Sequence, residues 1–281
     1  MLVSNGTLVE VNNHKINVLV TGNENSELTL VFMSGAGTCC PALDFKTLYS
    51  EYESNYKIAV VEKAGYGFSD DSDISRDIDT VLDETRQALR SVGITENLLL
   101  FPHSMSGIEA LYWANKYPDE IKGIVGLDPA LPENYENMKI SRFALGMASF
   151  GVRSGLVRLV PSVVNDSAAI KYGSLTEQEK DLYRALFYKM TLSHAMLNES
   201  KEIKNSAKKL KEIGAANTPM LIFVSNGEGT GYSKTDWQRF AINYAENKPN
   251  CRYVLLDCSH YVHNIEYELI YAESLEFIKS L

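Results

Sequence analysis

Two rhythms of apolar residues run along the chain. Thr7–Val11 and His14–Val20, the latter with Ile16, Val18 and Val20 on alternate positions, flank an Asn12-Asn13 pair. That pattern predicts a hairpin with positive-φ residues in its turn. Leu28–Met33, LTLVFM, is a continuous apolar run of buried-strand length. Lys57–Val61, Asn97–Phe101, Ile121–Leu127, the run that follows Pro219 (MLIFVSN) and Arg252–Asp257 read as further strands. Between them the step changes. Ile78, Val81, Leu82, Leu89 and Val92 recur at helical spacing and predict an amphipathic helix over 76–92, ended by Gly93. Helices are also expected over 44–52, over 105–117 before Pro118, near 236–244, and from about 265 to 281.

From about 131 to 216 the strand rhythm disappears. Thr176 and Glu179 form a capping-box pair, and helical segments lie on both sides of His194. Alternating strands and helices imply a mostly parallel sheet with helices on both faces, an α/β fold. A helical insertion after roughly the sixth strand would sit over the carboxyl ends of the strands, where ligands of open α/β sheets bind. The expected organisation is a core of residues 1–130 and 217–281 with a helical cap at 131–216.

Composition narrows the function. The chain has 281 residues and a net charge of −9, with no Lys/Arg run able to build a basic face, so nucleic acid is not an expected partner. No apolar run reaches the length of a membrane span, and the N-terminus lacks the layout of a secretory signal. Cys39, Cys40, Cys251 and Cys258 show no zinc spacing and read as reduced thiols of a cytoplasmic protein. Oligomeric state carries no signal in the sequence.

One stretch raises a chemical question. FPHSMSG, residues 101–107, joins an apolar strand to a helical segment. A serine in such a turn is exposed, and the next N–H lies at a helix N-terminus. Ser104 is the candidate nucleophile. Its flanking positions must be small: Ser106 qualifies, whereas Pro102 lacks an N–H and is less easily accommodated. A serine nucleophile needs a base, an orienting group and oxyanion donors. His260 follows the last strand and is the candidate base; His14, His103, His194 and His263 have weaker claims. The Ser34-Gly35-Ala36-Gly37-Thr38 loop follows LTLVFM, and the amides of Ala36 and Met105 are candidate oxyanion donors. His260 and His263 are three apart, but no other ligand group joins them at helix spacing, so no metal site is expected.

These motifs together resemble the α/β-hydrolase family over nearly the whole chain. VFMSGAGT is similar to its oxyanion loop, with Ser34 where histidine is usual. VVEKAGYGFSD is similar to its D-x-x-G-x-G-x-S turn, with Glu62 for aspartate. PHSMSG resembles its nucleophile elbow and CSHYVHNIE its histidine segment. The resemblance implies a sheet of about eight strands, a cap at roughly 131–216 and no cofactor. It places the orienting acid after strand 7, where Glu228 stands, or after strand 6, where Asp128 stands. Asp128 is preferred, because it follows a buried strand directly and Pro129 restricts its backbone; Glu228 is the alternative.

The implied activity is hydrolysis of an ester or related acyl bond. Serine at 104 argues against dehalogenation or epoxide opening, which use a nucleophilic aspartate. A largely apolar small substrate is suggested by Phe143, Leu145, Met147, Phe150, Leu156, Leu159, Leu186, Phe187, Met190 and Leu197 in the insertion, most of which must pack the cap and its seam. The alternative is a small-molecule binding or receptor-like protein of the same fold with little turnover.

Overall fold

Unbroken apolar runs become strands buried on both faces because each alternate residue meets a different helical layer. The computed structural model describes residues 4, 6–136, 155–214 and 217–281. Its eight strands are β1 (Thr7–Val11), β2 (His14–Gly22), β3 (Thr29–Met33), β4 (Lys57–Glu62), β5 (Leu98–Pro102), β6 (Ile121–Leu127), β7 (Met220–Val224) and β8 (Cys251–Leu255). They form one sheet in the order β1-β2-β4-β3-β5-β6-β7-β8. The hairpin β1–β2 and the β2–β4 pair are antiparallel, and all other pairs are parallel.

The longer helices are α1 (Lys46–Tyr52), α2 (Ile78–Ser91), α3 (Ser106–Lys116), α4 (Glu177–Met190), α5 (His194–Ile213), α6 (Lys234–Glu246) and α7 (Tyr267–Lys279). Val31, Leu100, Ile124 and Ile222 face one layer, with Leu82 and Leu89 of α2, Leu111 of α3 and Trp237 of α6. Phe32, Phe101, Val125 and Phe223 face the other, with Tyr52 of α1 and Phe277 of α7. The period-2 alternation of the strands thus feeds two cores.

Local expectations are mostly met, with shifted ends. Asn12 and Asn13 adopt φ of 51° and 65°, as the hairpin turn requires. The helix expected over 44–52 is two pieces, Pro41–Asp44 and Lys46–Tyr52, separated at Phe45. Asp77 caps α2 by accepting from the amides of Asp79 and Thr80, and Gly93 follows at φ 80°. The Thr176–Glu179 capping box forms at the start of α4.

Between β6 and β7 the described residues contain helices and no strand. These helices are tied to the sheet's carboxyl end by polar contacts that apolar periodicity does not reveal. Glu199 of α5 accepts from Tyr66 Oη at 2.8 Å and from Lys63 Nζ. The Asp71 carboxylate accepts from the His194 and Ala195 amides at the N-terminus of α5, each at 2.9 Å. Tyr183 of α4 donates to Asp44 at 3.0 Å. Of the apolar residues expected to wall a pocket, Phe143, Leu145, Met147 and Phe150 lie outside the described residues. Leu186 packs in a seam with Cys40, Leu43 and Tyr183, and Leu159 is 78% exposed. Among the described residues, no helix is long and apolar enough to cross a membrane.

Candidate active site

Ser104 sits in the turn between β5 and α3 with φ 55°, a left-handed conformation that costs a non-glycine residue energy. Surrounding bonds hold it there. Its carbonyl accepts from the Gly107 amide at 2.9 Å and the Ala130 amide at 2.8 Å. Gly107 has no room for a side chain: a Cβ would lie 2.4 Å from the Ala130 carbonyl. Ser106 does more than stay small, since its hydroxyl lies within hydrogen-bond reach of the carbonyls of Met33 (2.7 Å) and His103 (2.8 Å) inside the buried turn.

Pro102 is accommodated by the ladder's geometry. It stands opposite Met33 of β3, and the following His103 amide donates to the Met33 carbonyl at 3.0 Å. Main-chain N–H groups of a central strand point alternately to its two neighbours, so the donor missing at Pro102 faces β6. There the continuous pairing stops at Leu100–Ile124, leaving only an isolated bridge at His103–Leu127.

The loop after β8 brings His260 to this turn. Its Nε2 lies 2.8 Å from Ser104 Oγ, and its Nδ1 lies 2.5 Å from Asp128 Oδ2. Asp128, at the end of β6, is wholly buried and has φ 51°. Its other oxygen accepts from Trp237 Nε1 and from the Ser225 amide, both at 2.7 Å. A carboxylate with every oxygen engaged is a rigid clamp for an imidazole. Glu228 is exposed, and it meets His260 only through its main-chain carbonyl, which accepts the His260 amide at 2.9 Å.

Ala36 and Ser104 line one small cavity, and Met105 directly follows Ser104. Neither the Ala36 amide nor the Met105 amide donates to another described residue. Gly35 permits the loop's close approach: a Cβ there would lie 2.6 Å from Ser104 Cβ. The cavity, about 170 Å³, is also lined by Asn134, Tyr135, Tyr232, Trp237 and Tyr261.

The remaining sequence candidates fall elsewhere. His263 is fully buried, its ring 4.8 Å from that of Phe45, and burial holds it at about 3, far below the usual imidazole range. His14 lies by Glu84 in the hairpin layer, and His194 opens α5 on the surface beside Asp73. Glu62 is buried and structural. It accepts from the Phe68 amide (2.7 Å) and from Asn17 Nδ2 (2.9 Å), and loss of hydration raises its carboxyl above the usual range. Trp237 and Ser225 escaped the sequence reading, because an indole near the start of a helix and a main-chain amide carry no motif. No group of three or more His, Cys, Asp or Glu residues among the described residues could hold a metal ion.

The family model for serine aminopeptidase, S33, matches residues 29–257. The uncharacterized protein YbdG of Bacillus subtilis (strain 168) is 37% identical over 297 residues, covering 100% of this chain and 88% of that protein. Among solved structures, the haloalkane dehalogenase DbeA from Bradyrhizobium elkani USDA94 aligns with a TM-score of 0.72 at 17% identity, covering 98% of this chain and 97% of that one. A thermophilic esterase from Thermogutta terrifontis aligns with a TM-score of 0.69 at 15% identity, with coverage of 98% and 97%. At such identities these two share the α/β-hydrolase fold and nothing finer follows from them.

Proposed function

The chain belongs to the serine aminopeptidase S33 family of α/β-hydrolases, and we propose that it cleaves an ester or related acyl bond of a small, largely apolar substrate through an acyl-enzyme. The observation that carries this reading is the unbroken contact chain from Asp128 through His260 to Ser104. Ser104 Oγ attacks the substrate carbonyl carbon while His260 Nε2 takes its proton. The tetrahedral oxygen gains its negative charge beside the Ala36 and Met105 amides, which act as the oxyanion donors. Collapse expels the leaving group, which takes the proton from His260. Water, deprotonated by His260, then attacks the acyl-Ser104 ester and releases the acid. Asp128 keeps the Nδ1 proton in place and stabilises the imidazolium between steps. No step calls for a cofactor.

The cavity lining supports an uncharged acyl group: among the described residues it contains no Lys, Arg, Asp or Glu. A serine at 104 offers no carboxylate for the alkyl-enzyme ester that dehalogenation requires. The helices between β6 and β7 serve as the cap over this end of the sheet. A receptor-like role with little turnover would leave the pairing of Ser104 and His260 without purpose.

Labelling with a fluorophosphonate followed by peptide mass spectrometry tests the assignment. Modification at Ser104 that disappears in His260→Ala is expected. A folded protein that takes no label would sink the hydrolase reading in favour of binding.

A further inference from the structure

We propose that His103, the residue before Ser104, is a positioning residue that fixes the main chain of His260 through a ring-to-carbonyl hydrogen bond. The inference rests on the acyl-transfer reading above. His103 Nε2 lies 3.1 Å from the His260 carbonyl oxygen. A carbonyl can only accept, so Nε2 carries the proton. Nδ1 is then the bare nitrogen of a neutral ring, and among the described residues no group accepts from it. A protonated ring would bury a second N–H without an acceptor.

The need for this bond follows from the topology. His260 lies in the loop after β8, the edge strand of the sheet, whose residues are mostly exposed or half-buried. Ser104 follows β5, a central strand buried along its length. Two strands, β6 and β7, separate them. A base anchored only through an edge strand would inherit that strand's motion relative to the nucleophile. The His103 bond short-circuits the path, because His103 and Ser104 are consecutive. The His260 amide is held from the other side by the Glu228 carbonyl at 2.9 Å. Both main-chain polar groups of His260 are therefore hydrogen-bonded, while Asp128 holds its ring at Nδ1.

Packing reinforces the arrangement. The His103 ring lies 4.6 Å from the His260 ring, 4.7 Å from that of His263 and 5.0 Å from that of Tyr261. His103 is 1% exposed, and burial together with its histidine neighbours holds it well below the usual imidazole range. Neutrality matters to the reaction. A charge on His103 would oppose the imidazolium that forms on His260 during acyl transfer.

Three variants test the role: His103→Leu removes the donor, His103→Gln keeps an amide N–H at similar reach, and His103→Asn keeps an amide that stops short of the carbonyl. kcat and KM for p-nitrophenyl acetate, the rate of fluorophosphonate labelling at Ser104, and thermal melting are measured on each. His103→Leu and His103→Asn are expected to lose about tenfold in kcat, the scale of one ordinary hydrogen bond, with KM within about twofold. His103→Gln is expected to stay within about threefold of the parent, even if all three melt at similarly lowered temperatures. If the leucine variant does not fold, the comparison of Asn with Gln decides. Equal kcat in Gln and Asn variants, or full kcat in the Leu variant, overturns the positioning role while leaving the labelled parent as a serine hydrolase. A parent protein that neither labels nor turns over ester loses both readings.

Discussion

His260 Nδ1 lies 2.5 Å from Asp128 Oδ2, and the same carboxylate takes the Trp237 indole and the Ser225 amide on its other oxygen. Glu228, by contrast, reaches His260 only through its main chain. Asp128→Asn would keep the packing but remove the charge that stabilises the imidazolium, and would offer an amide in place of an acceptor. It is expected to lower kcat on p-nitrophenyl acetate by roughly a thousandfold or more. Glu228→Gln leaves the main-chain carbonyl in place and is expected to stay within about twofold. Steady-state kinetics on the pair of variants decides; full kcat in Asp128→Asn would mean that the buried carboxylate does not serve the histidine.

Gly35 is required by closeness. An added Cβ would sit 2.6 Å from Ser104 Cβ and 2.8 Å from the His103 carbonyl, and neither neighbour is the far end of a flexible side chain. The loop carrying Ala36 must therefore move away from Ser104 in Gly35→Ala. Loss of one oxyanion donor typically costs about a hundredfold or more in kcat. The expected outcome is a folded variant, by circular dichroism, with kcat lowered on that scale. Unchanged kcat would show that the Ala36 amide is not an oxyanion donor.

Much of this arrangement was legible in the chain because strong periodic signals end where the chemistry begins. Ser104 and His260 each follow an apolar run, and Ser104 precedes a helical pattern, so their places at the sheet's carboxyl end could be read without coordinates. Which carboxylate meets His260 could be read only as a preference for Asp128 over Glu228. The contact itself depends on the left-handed backbone at Asp128 and on an indole from α6, neither of which leaves a pattern in sequence. Which residues of the insertion line a pocket was not legible for a related reason. Helical spacing shows that Leu186 turns inward but not which surface it meets, and it fills the seam with Leu43 and Tyr183 rather than the cavity. Pro102 looked like a fault in the motif because a missing donor matters only on the side where a neighbouring strand needs it.

Asp44 links stability to pH. It is buried, with Tyr183 Oη on one oxygen, and loss of hydration raises its carboxyl from an ordinary 3.8 to about 7. Between about pH 4 and 7 the folded protein holds a proton here that the unfolded chain has released. The stability contributed by that proton is therefore fully present below the unfolded value and is lost as pH rises through the folded one. Asp44→Asn removes this dependence and can still accept from Tyr183. Urea unfolding at pH 5 and pH 8 should show the variant gaining on the parent at the higher pH, by on the order of 2 kcal/mol. A difference between the two proteins that does not change with pH would rule out Asp44 as the linked group.

The cavity beside Ser104 gives an expectation for the length of the acyl group. Its volume of about 170 Å³ corresponds to roughly five or six water-sized volumes. Tyr232 forms one wall: its ring stacks on Trp237 at 5.8 Å, and its hydroxyl donates to the Asn134 carbonyl, joining the loop after β7 to the turn after β6. An acetyl or butyryl chain is expected to sit within this space, and Tyr232 is the wall we expect a longer chain to meet. kcat/KM for p-nitrophenyl acetate and butyrate is expected to exceed that for the octanoate by about tenfold or more. Tyr232→Ala, which removes the wall without touching Asp128 or His260, should narrow that ratio chiefly by raising the octanoate value. A parent protein that favours octanoate would mean that the acyl chain leaves Ser104 by another route, and the same ratio in Tyr232→Ala would mean that a different residue sets the limit.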